Sequence, residues 1–335
     1  MASELKRLLL PSPALTYNAT ALADTASMTI FNKDINALRT HADRRKGLTL
    51  AALSAIAFAI MTLLVRVLSG QGFTPLQIMF WRSIVQTAAA LLACKLMGVP
   101  LRVGSDHGWD KFRWVLMRAI CGCLGHLLYY AALANMPMGI ATVLFFTNPL
   151  FTAVFANWLL GEDFSRRHRM LSLVCLFGIV LVVVPGSPLA LLLGGGISIW
   201  SLSALLGAVS AALAYVSIRL AGRGVHPMVH VAYFGFVGAL GGLLLSWVSG
   251  EAWCMPQASV AGWAVVAGVG VMAFLAQYSM NWGLQLTNAG PVVMMRNTDI
   301  VLSFVFDVVL YQTVPAVSSI CGAVVITLCV IAMSL

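Results

Sequence analysis

A few charged residues lie inside long apolar stretches of the chain, and their chemistry needs an explanation. Arg82, Arg296 and Asp299 are such residues. A guanidinium group can hold a carboxylate or a phosphate through two hydrogen bonds, so Arg82 and Arg296 predict a pair of cationic clamps for an anion. Because Arg296 and Asp299 are three residues apart, mutual neutralisation on one helix is the alternative. For Arg82 the alternative is packing or contact with a helix terminus.

Neutral polar and aromatic residues are predicted at a similar depth in the apolar stretches. His126 could bind a substrate or carry a proton, although a hydrogen-bonded histidine between two helices is the favoured alternative. Gln277 and Asn281 are one helical turn apart, so they share a face and could line a cavity or join helices. The candidate substrate-binding residues are Arg82, His126, Tyr130, Phe145, Asn148, Gln277, Asn281, Arg296 and Asp299.

The composition explains why charges in these stretches are costly. Of the 335 residues, 60% are hydrophobic and only 9% are charged, whereas soluble domains carry about 25% charged residues. An aqueous fold could not bury that much apolar surface, so lipid is the expected solvent for most of the chain. An arginine at the centre of a membrane span costs about 2.5 to 3.5 kcal/mol on insertion scales, so it must face a cavity or a partner.

Ten apolar segments follow a less apolar beginning. Residues 1–46 carry mixed charge and two prolines, and we predict a flexible cytosolic N-terminal tail there. Most later segments have about the 20 residues that a helix needs to cross hydrocarbon. The predicted spans are residues 48–68, 75–97, 114–134, 138–160, 170–185, 199–220, 227–249, 258–285, 289–311 and 314–335. The predicted fold class is therefore an all-α polytopic membrane protein with ten transmembrane helices.

The loops between these spans predict the orientation of the chain. Basic residues precede span one and follow spans two, four and six, whereas the loops on the other side carry Glu251 as their only charged residue. Because cytosolic loops are enriched in lysine and arginine, both termini are predicted to be cytosolic. The formal net charge of +9 has the same explanation. The sequence contains no soluble segment in which basic and aromatic residues alternate, so it does not indicate nucleic acid binding.

The chain contains a weak internal repeat. Residues 133–159 align with residues 284–310 at a constant offset of 151, and the dipeptide Thr74-Pro75 aligns with His226-Pro227 at an offset of 152. At the first offset Asn148 corresponds to Asp299, and Phe145 corresponds to Arg296. Candidate residues from both repeats are therefore predicted to lie in one polar layer.

The repeat divides the spans into two sets of five. We predict one repeat in residues 47–186 and the other in residues 199–335. An odd number of spans places the two repeats in opposite orientations in the membrane. Inverted repeats of this kind are a common architecture for alternating access, with the substrate near the midplane where the repeats meet.

Three segments carry a resemblance to a known family. They are Tyr129-Tyr130-Ala131-Ala132-Leu133, IATVLFFTNPLFTAVFANWLLGE at residues 140–162, and MMRNTDIVLSFVFDVVLYQTVP at residues 294–315. They are similar to the EamA-type drug/metabolite transporter superfamily, and within it to subgroup G of solute carrier family 35. The resemblance covers residues 47–335. It implies ten helices in two inverted halves and transport of a polar metabolite, with organic anions such as carboxylates as expected substrates.

Three functions stay open at this point. The first is an exchanger or facilitator of a small organic anion, and the second is an exporter of an amino acid or a cationic metabolite with Asp299 as countercharge. The third is a membrane-embedded acyl- or lipid-modifying enzyme, which needs a clustered catalytic set. The six histidines are scattered and only His126 lies deep in a predicted span. No catalytic residue, metal or cofactor is therefore predicted.

The expected partners are a small anionic substrate and the lipid bilayer, and a homodimer is a compatible assembly. The plasma membrane is favoured over an internal membrane.

Overall fold

The computed structural model describes residues 13–101, 108–135, 138–162, 166–183, 199–253, 255, 260–312 and 316–334. The chain divides into two compact units, Met1–Arg45 and Lys46–Leu335. The regular structure of the described residues is helical throughout. The helices are α1 (Pro13–Gly70), α2 (Pro75–Leu96), α3 (Gly108–Asn135), α4 (Met138–Phe145), α5 (Asn148–Leu160), α6 (Arg166–Val183), α7 (Ile199–Ala221), α8 (Pro227–Val248), α9 (Val260–Leu286), α10 (Ala289–Arg296), α11 (Thr298–Tyr311) and α12 (Val317–Ser334).

The observed secondary structure of the N-terminal tail differs from the expectation. Helix α1 begins at Pro13, so the described part of residues 1–46 is helical, which the sequence did not predict. The flexibility of the tail and its cytosolic location stay predictions.

The distribution of side chains is that of a membrane protein. Among the described residues, seven helical stretches are long and apolar enough to cross a bilayer, and Val317–Cys329 is a shorter apolar helix. Large apolar side chains such as Phe236 and Leu92 are exposed, whereas Arg82, Gln86 and His230 are buried. Lipid is a good solvent for the first set and a poor one for the second. The all-α polytopic class is therefore confirmed, while the number of ten spans stays a prediction.

Two predicted spans are each broken into two helices at corresponding positions. The span at residues 138–160 separates into α4 and α5, and the span at residues 289–311 separates into α10 and α11. At the first break the hydroxyl of Thr147 donates to the Leu144 carbonyl at 2.6 Å. At the second the hydroxyl of Thr298 donates to the Met295 carbonyl at 2.7 Å. Each threonine thus adds a side-chain hydrogen bond to a carbonyl that also accepts from a backbone amide at the break.

The helix starts of α2 and α8 also correspond. The side chain of Thr74 accepts a hydrogen bond from the Gln77 amide, and that of His226 accepts one from the Met228 amide, both at 3.3 Å. A proline follows each cap at the beginning of the helix, where the missing N–H costs nothing. The internal repeat thus has a structural counterpart at two places, while the inverted orientation of the repeats stays a prediction.

Helices α2 and α8 pack closely through glycines of α8. A Cβ atom on Gly242 would lie 2.9 Å from the Phe80 amide nitrogen and 3.1 Å from the Leu76 carbonyl oxygen, which are backbone atoms. Small residues at such positions allow membrane helices to approach each other. This pair of helices carries Arg82 and Phe234, so its spacing positions the site described below.

Replacement of Gly242 by alanine should therefore destabilise the protein. The helices must move apart to admit the methyl group, and overpacking of this kind costs about 1 to 3 kcal/mol. Thermal unfolding in detergent measures the effect. Gly268→Ala is the matched control, because a Cβ atom there would meet only the end of the Leu64 side chain. An equal midpoint temperature for the two variants would contradict the prediction.

Candidate functional site

Three cationic or titratable side chains surround the ring of Phe234, which lies in α8. The Arg118 guanidinium is 4.6 Å from the ring centroid and the Arg82 guanidinium is 5.8 Å from it. The His126 ring lies on the same phenylalanine, with 5.6 Å between ring centroids. A cation over an aromatic face gains electrostatic energy from the ring, more so when water is excluded. Phe234 therefore brings side chains of α2 and α3 together, and we name Arg82, Arg118, His126 and Phe234 the arginine cluster.

Arg82 is buried in this cluster with few polar contacts. The residue is only 2% exposed. Its Nε and Nη2 atoms are buried and have no hydrogen-bond partner among the described residues. A buried charge normally has a hydrogen-bonded partner, since the cost of taking it out of water is large. Arg82 therefore keeps N–H donors that no acceptor among the described residues uses.

Arg118 belongs to the cluster although the sequence analysis did not include it. The residue is 2% exposed, and its Nη2 donates to Gln277 Oε1 at 2.6 Å. Its Nε is buried without a hydrogen-bond partner among the described residues. A signal was present in the sequence, because Arg118, Gly122 and His126 follow each other at four-residue intervals and so share one face of α3.

Arg296 lies in a more complete environment. Its Nη1 donates to the Tyr215 hydroxyl at 2.7 Å, and its Nη2 is 3.6 Å from Asp299 Oδ2. The guanidinium also lies 4.7 Å from the ring centroid of Phe58. The two charges complement the helix break, because Arg296 ends α10 and Asp299 lies in the first turn of α11. The mutual neutralisation weighed for this pair is thus present in the structure.

His126 and Tyr130 are half-buried residues of α3. The Nδ1 atom of His126 donates to the Gly122 carbonyl at 2.8 Å, so this hydrogen bond stays within α3 and does not join two helices. The Tyr130 ring lies on His126 with 6.2 Å between centroids. The charges of Arg82, Arg118 and Arg296 all act on the His126 ring. His126 is therefore the member of the arginine cluster on which the charge of Arg296 also acts.

The remaining candidates complete the layer around these residues. Phe145 stacks on Tyr129 with 4.3 Å between centroids, and the Asn148 amide donates to the Phe145 carbonyl at 2.9 Å beside the helix break. Asn281 is fully buried, and both polar atoms of its amide lack a hydrogen-bond partner among the described residues. Gln277 is held by Arg118, as described above.

The charge of this layer is unbalanced. Arg82, Arg118 and Arg296 contribute three buried cations, and Asp299 is the carboxylate that contacts one of them. In the described part of the chain, neither Arg82 nor Arg118 has an ion pair with a carboxylate. The layer can therefore accommodate negative charge from a ligand. No group of three or more histidine, cysteine, aspartate or glutamate side chains that could hold a metal is found among the described residues.

A groove that shares no lining residue with the polar layer lies on α11 and α12. Its volume is about 260 Å³, and it is lined by Val305, Ile320, Ala323, Val324, Thr327 and Leu328 of α11 and α12. These side chains are almost entirely apolar, so the groove suits hydrocarbon and is separate from the polar layer.

Paired helix breaks and a buried polar layer within apolar helices are features found in multi-pass membrane transporters. The profile of the EamA-like transporter family matches residues 45–184 and again residues 198–335, and the chain belongs to this family. The pseudopaline exporter CntI of Pseudomonas aeruginosa is 29% identical over 290 residues, which cover 87% of this chain and 96% of that protein.

Two further likenesses agree with this assignment. Solute carrier family 35 member G1 of Homo sapiens is 26% identical over 296 residues, which cover 85% of this chain and 77% of that protein. A solved crystal structure shares the fold with a TM-score of 0.69 at 23% identity, covering 84% of this chain and 94% of its own. The resemblance to subgroup G of family 35 is thereby confirmed. The family and these relatives identify the chain as a transporter rather than an enzyme.

Proposed function

We propose that the chain transports a small organic anion, such as a carboxylate, by alternating access. The observation that carries this proposal is the pair of buried guanidinium groups of Arg82 and Arg118. Both are 2% exposed, and neither contacts a carboxylate among the described residues. An anion between them would supply the missing charge and accept hydrogen bonds from their free N–H groups.

Contacts on both sides of the layer support alternating access. On the side predicted to be cytosolic, Glu162 after α5 forms an ion pair with Arg219 of α7. Glu162 also accepts a hydrogen bond from the Ala289 amide at 3.1 Å. These contacts join the two predicted repeats, so this side must open by breaking them.

The opposite side is held by different contacts between the predicted repeats. The Thr74 hydroxyl donates to Glu251 Oε2, and Gln77 Nε2 donates to the Ala252 carbonyl at 2.8 Å. A carrier that exposes its site to one side at a time needs a breakable closure on each side. The polar layer lies between two such closures, and this arrangement supports a carrier over an open channel.

The predicted topology and location belong to the same proposal. We expect both termini in the cytosol, a location in the plasma membrane, and a homodimer as a compatible assembly. Residues assigned to one side by the loop charges, such as Glu162 and Arg219, contact each other. This contact is consistent with the two loops lying on one side of the membrane.

A ligand panel followed by counterflow tests the proposal. Purified protein is heated with acetate, lactate, succinate, phosphate, glutamate or spermidine. A ligand at 100 times its dissociation constant adds about 2.7 kcal/mol to stability. We expect stabilisation by a carboxylate, and then exchange of that labelled carboxylate against the unlabelled compound in proteoliposomes at equal pH. The proposal fails if only spermidine stabilises the protein or if no anion of the panel exchanges.

A second candidate function is export of an amino acid or a cationic metabolite. Asp299 is a buried carboxylate in the same layer and could serve as its countercharge. The contact between Asp299 and Arg296 argues against a free countercharge, and a variant of Asp299 discriminates between the two functions in the Discussion.

A further inference from the structure

His230 is a buried histidine whose presence anion binding by the arginines does not explain. It lies in the first turn of α8 and is fully buried. Both ring nitrogens lack a hydrogen-bond partner among the described residues. A neutral imidazole has one donor and one acceptor, and leaving both unmade in a buried site is unfavourable. From the sequence, only His126 is predicted to lie deep in a span, so His230 is not among the predicted candidates.

The surroundings of His230 are cationic or neutral. Helix α8 packs against α2, α3 and α9, and the charge of Arg118 acts on the His230 ring. The sequences of α2, α8 and α9 contain no aspartate or glutamate, and that of α3 contains only Asp110, near its beginning. The charged or titratable residues of these helices are Arg82, Cys94 and Lys95 of α2, Asp110, Lys111, Arg113, Arg118, Cys121, Cys123, His126, Tyr129 and Tyr130 of α3, Tyr278 of α9, and Tyr233 of α8, with His226 as the cap of α8.

In this environment, anion binding by the arginines and protonation of His230 are energetically coupled. While the layer is empty, no ligand anion offsets the positive charge of Arg118, which acts on the His230 ring, or that of Arg82, its neighbour at the Phe234 ring. An anion bound by these two arginines cancels that field and favours the charged imidazolium. Linkage is reciprocal, so a proton on His230 must strengthen anion binding by the same factor.

We propose that His230 is the site at which a proton is taken up and carried together with the anion. The proton comes from water on the side where the anion binds and returns to water on the side where the anion leaves. A monoanion and one proton then cross with no net charge. This inference rests on the proposed anion transport, and its ligand is the proton itself.

Proteoliposomes can separate the two proposals. Wild-type protein is first tested for exchange of labelled lactate, or of the panel carboxylate that stabilises it most, at equal pH on both sides. Uptake is then driven by an inward proton gradient of one pH unit with the membrane potential clamped at zero. With one proton per monoanion, we expect about tenfold accumulation, since one pH unit corresponds to about 1.4 kcal/mol.

The variant His230→Gln keeps a neutral donor and acceptor but cannot hold the proton. We expect weaker anion binding, exchange at equal pH and saturating anion within about twofold of wild type, and loss of the tenfold accumulation. The control is His226→Asn, because asparagine can also cap α8. Partial burial lowers the pKa of His226 from its usual value, so that residue is neutral near pH 7 and its variant should still accumulate the anion.

The outcomes are distinguishable. Absence of exchange by wild-type protein overturns the proposed function and this inference with it. Exchange without accumulation, or without proton entry reported by a trapped pH dye, overturns the inference alone. Normal accumulation by His230→Gln also overturns it. If size-exclusion chromatography shows that His230→Gln is misfolded, His230→Asn replaces it under the same criteria.

Discussion

Replacement of Arg82 by glutamine should weaken binding of the transported anion at least about 30-fold, while the empty protein stays as heat-stable as wild type or becomes more stable. Losing one partner of a buried charge pair costs about 2 kcal/mol or more, and each 1.4 kcal/mol is a factor of ten in affinity. The empty protein loses mainly the contact with Phe234, whose ring centroid is 5.8 Å away, because Nε and Nη2 of Arg82 have no hydrogen-bond partner among the described residues. Thermal unfolding with and without the anion measures both effects.

The opposite signs of these two effects separate a binding residue from a packing residue. If Arg82 were structural, Arg82→Gln would lower the unfolding temperature of the empty protein. Lys95→Gln is the matched control, because Lys95 is an exposed basic residue at the end of the same helix. It removes the same charge and should leave anion binding unchanged. A variant of Arg82 that transports normally would rule out the anion clamp.

The sequence predicted the fold class and half of the arginine cluster, because both depend on local patterns. Apolar length defines a span, and counting inward from its ends gives the depth of Arg82 and His126. Such counting fails near the ends of spans. Arg118 is near the beginning of the predicted third span but lies well inside α3, which begins at Gly108. Its burial depends on the neighbouring helices, which no single segment encodes.

The helix breaks show the same limit. The fourth predicted span contains Pro149, and α5 begins beside it. The corresponding break at Asn297 has no proline, and the ninth span was predicted as continuous. Thr298 performs the role of Thr147 there, but a threonine after an asparagine is too common a pattern to predict a break. Only the internal repeat, used as a structural template, could have transferred the break from one span to the other.

The structure also ranks two arginines that the sequence could not separate. Arg296 is held by Tyr215 and Asp299 and lies at the carboxyl end of a helix, where a cation is favoured. Arg82 and Arg118 have no such carboxylate among the described residues. We therefore expect the anion to bind first to the arginine cluster. Arg296 then adds positive electrostatic potential to the polar layer, and the neighbouring carboxylate of Asp299 offsets part of that potential.

Replacement of Asp299 by asparagine should strengthen anion binding about tenfold and leave exchange of the anion intact. The carboxylate repels a bound anion and occupies Arg296, whose guanidinium is 3.6 Å away, so removing its charge leaves all three arginines available. A gain of about 1.4 kcal/mol corresponds to this factor. Titration of the anion by thermal shift gives the affinity, and proteoliposome exchange gives the activity. Asp299→Glu keeps the charge and should bind the anion as wild type does.

If the substrate were a cation or an amino acid held by Asp299, the asparagine variant would instead lose transport, while Arg82→Gln would keep it. The two variants therefore distinguish the proposed functions by opposite results.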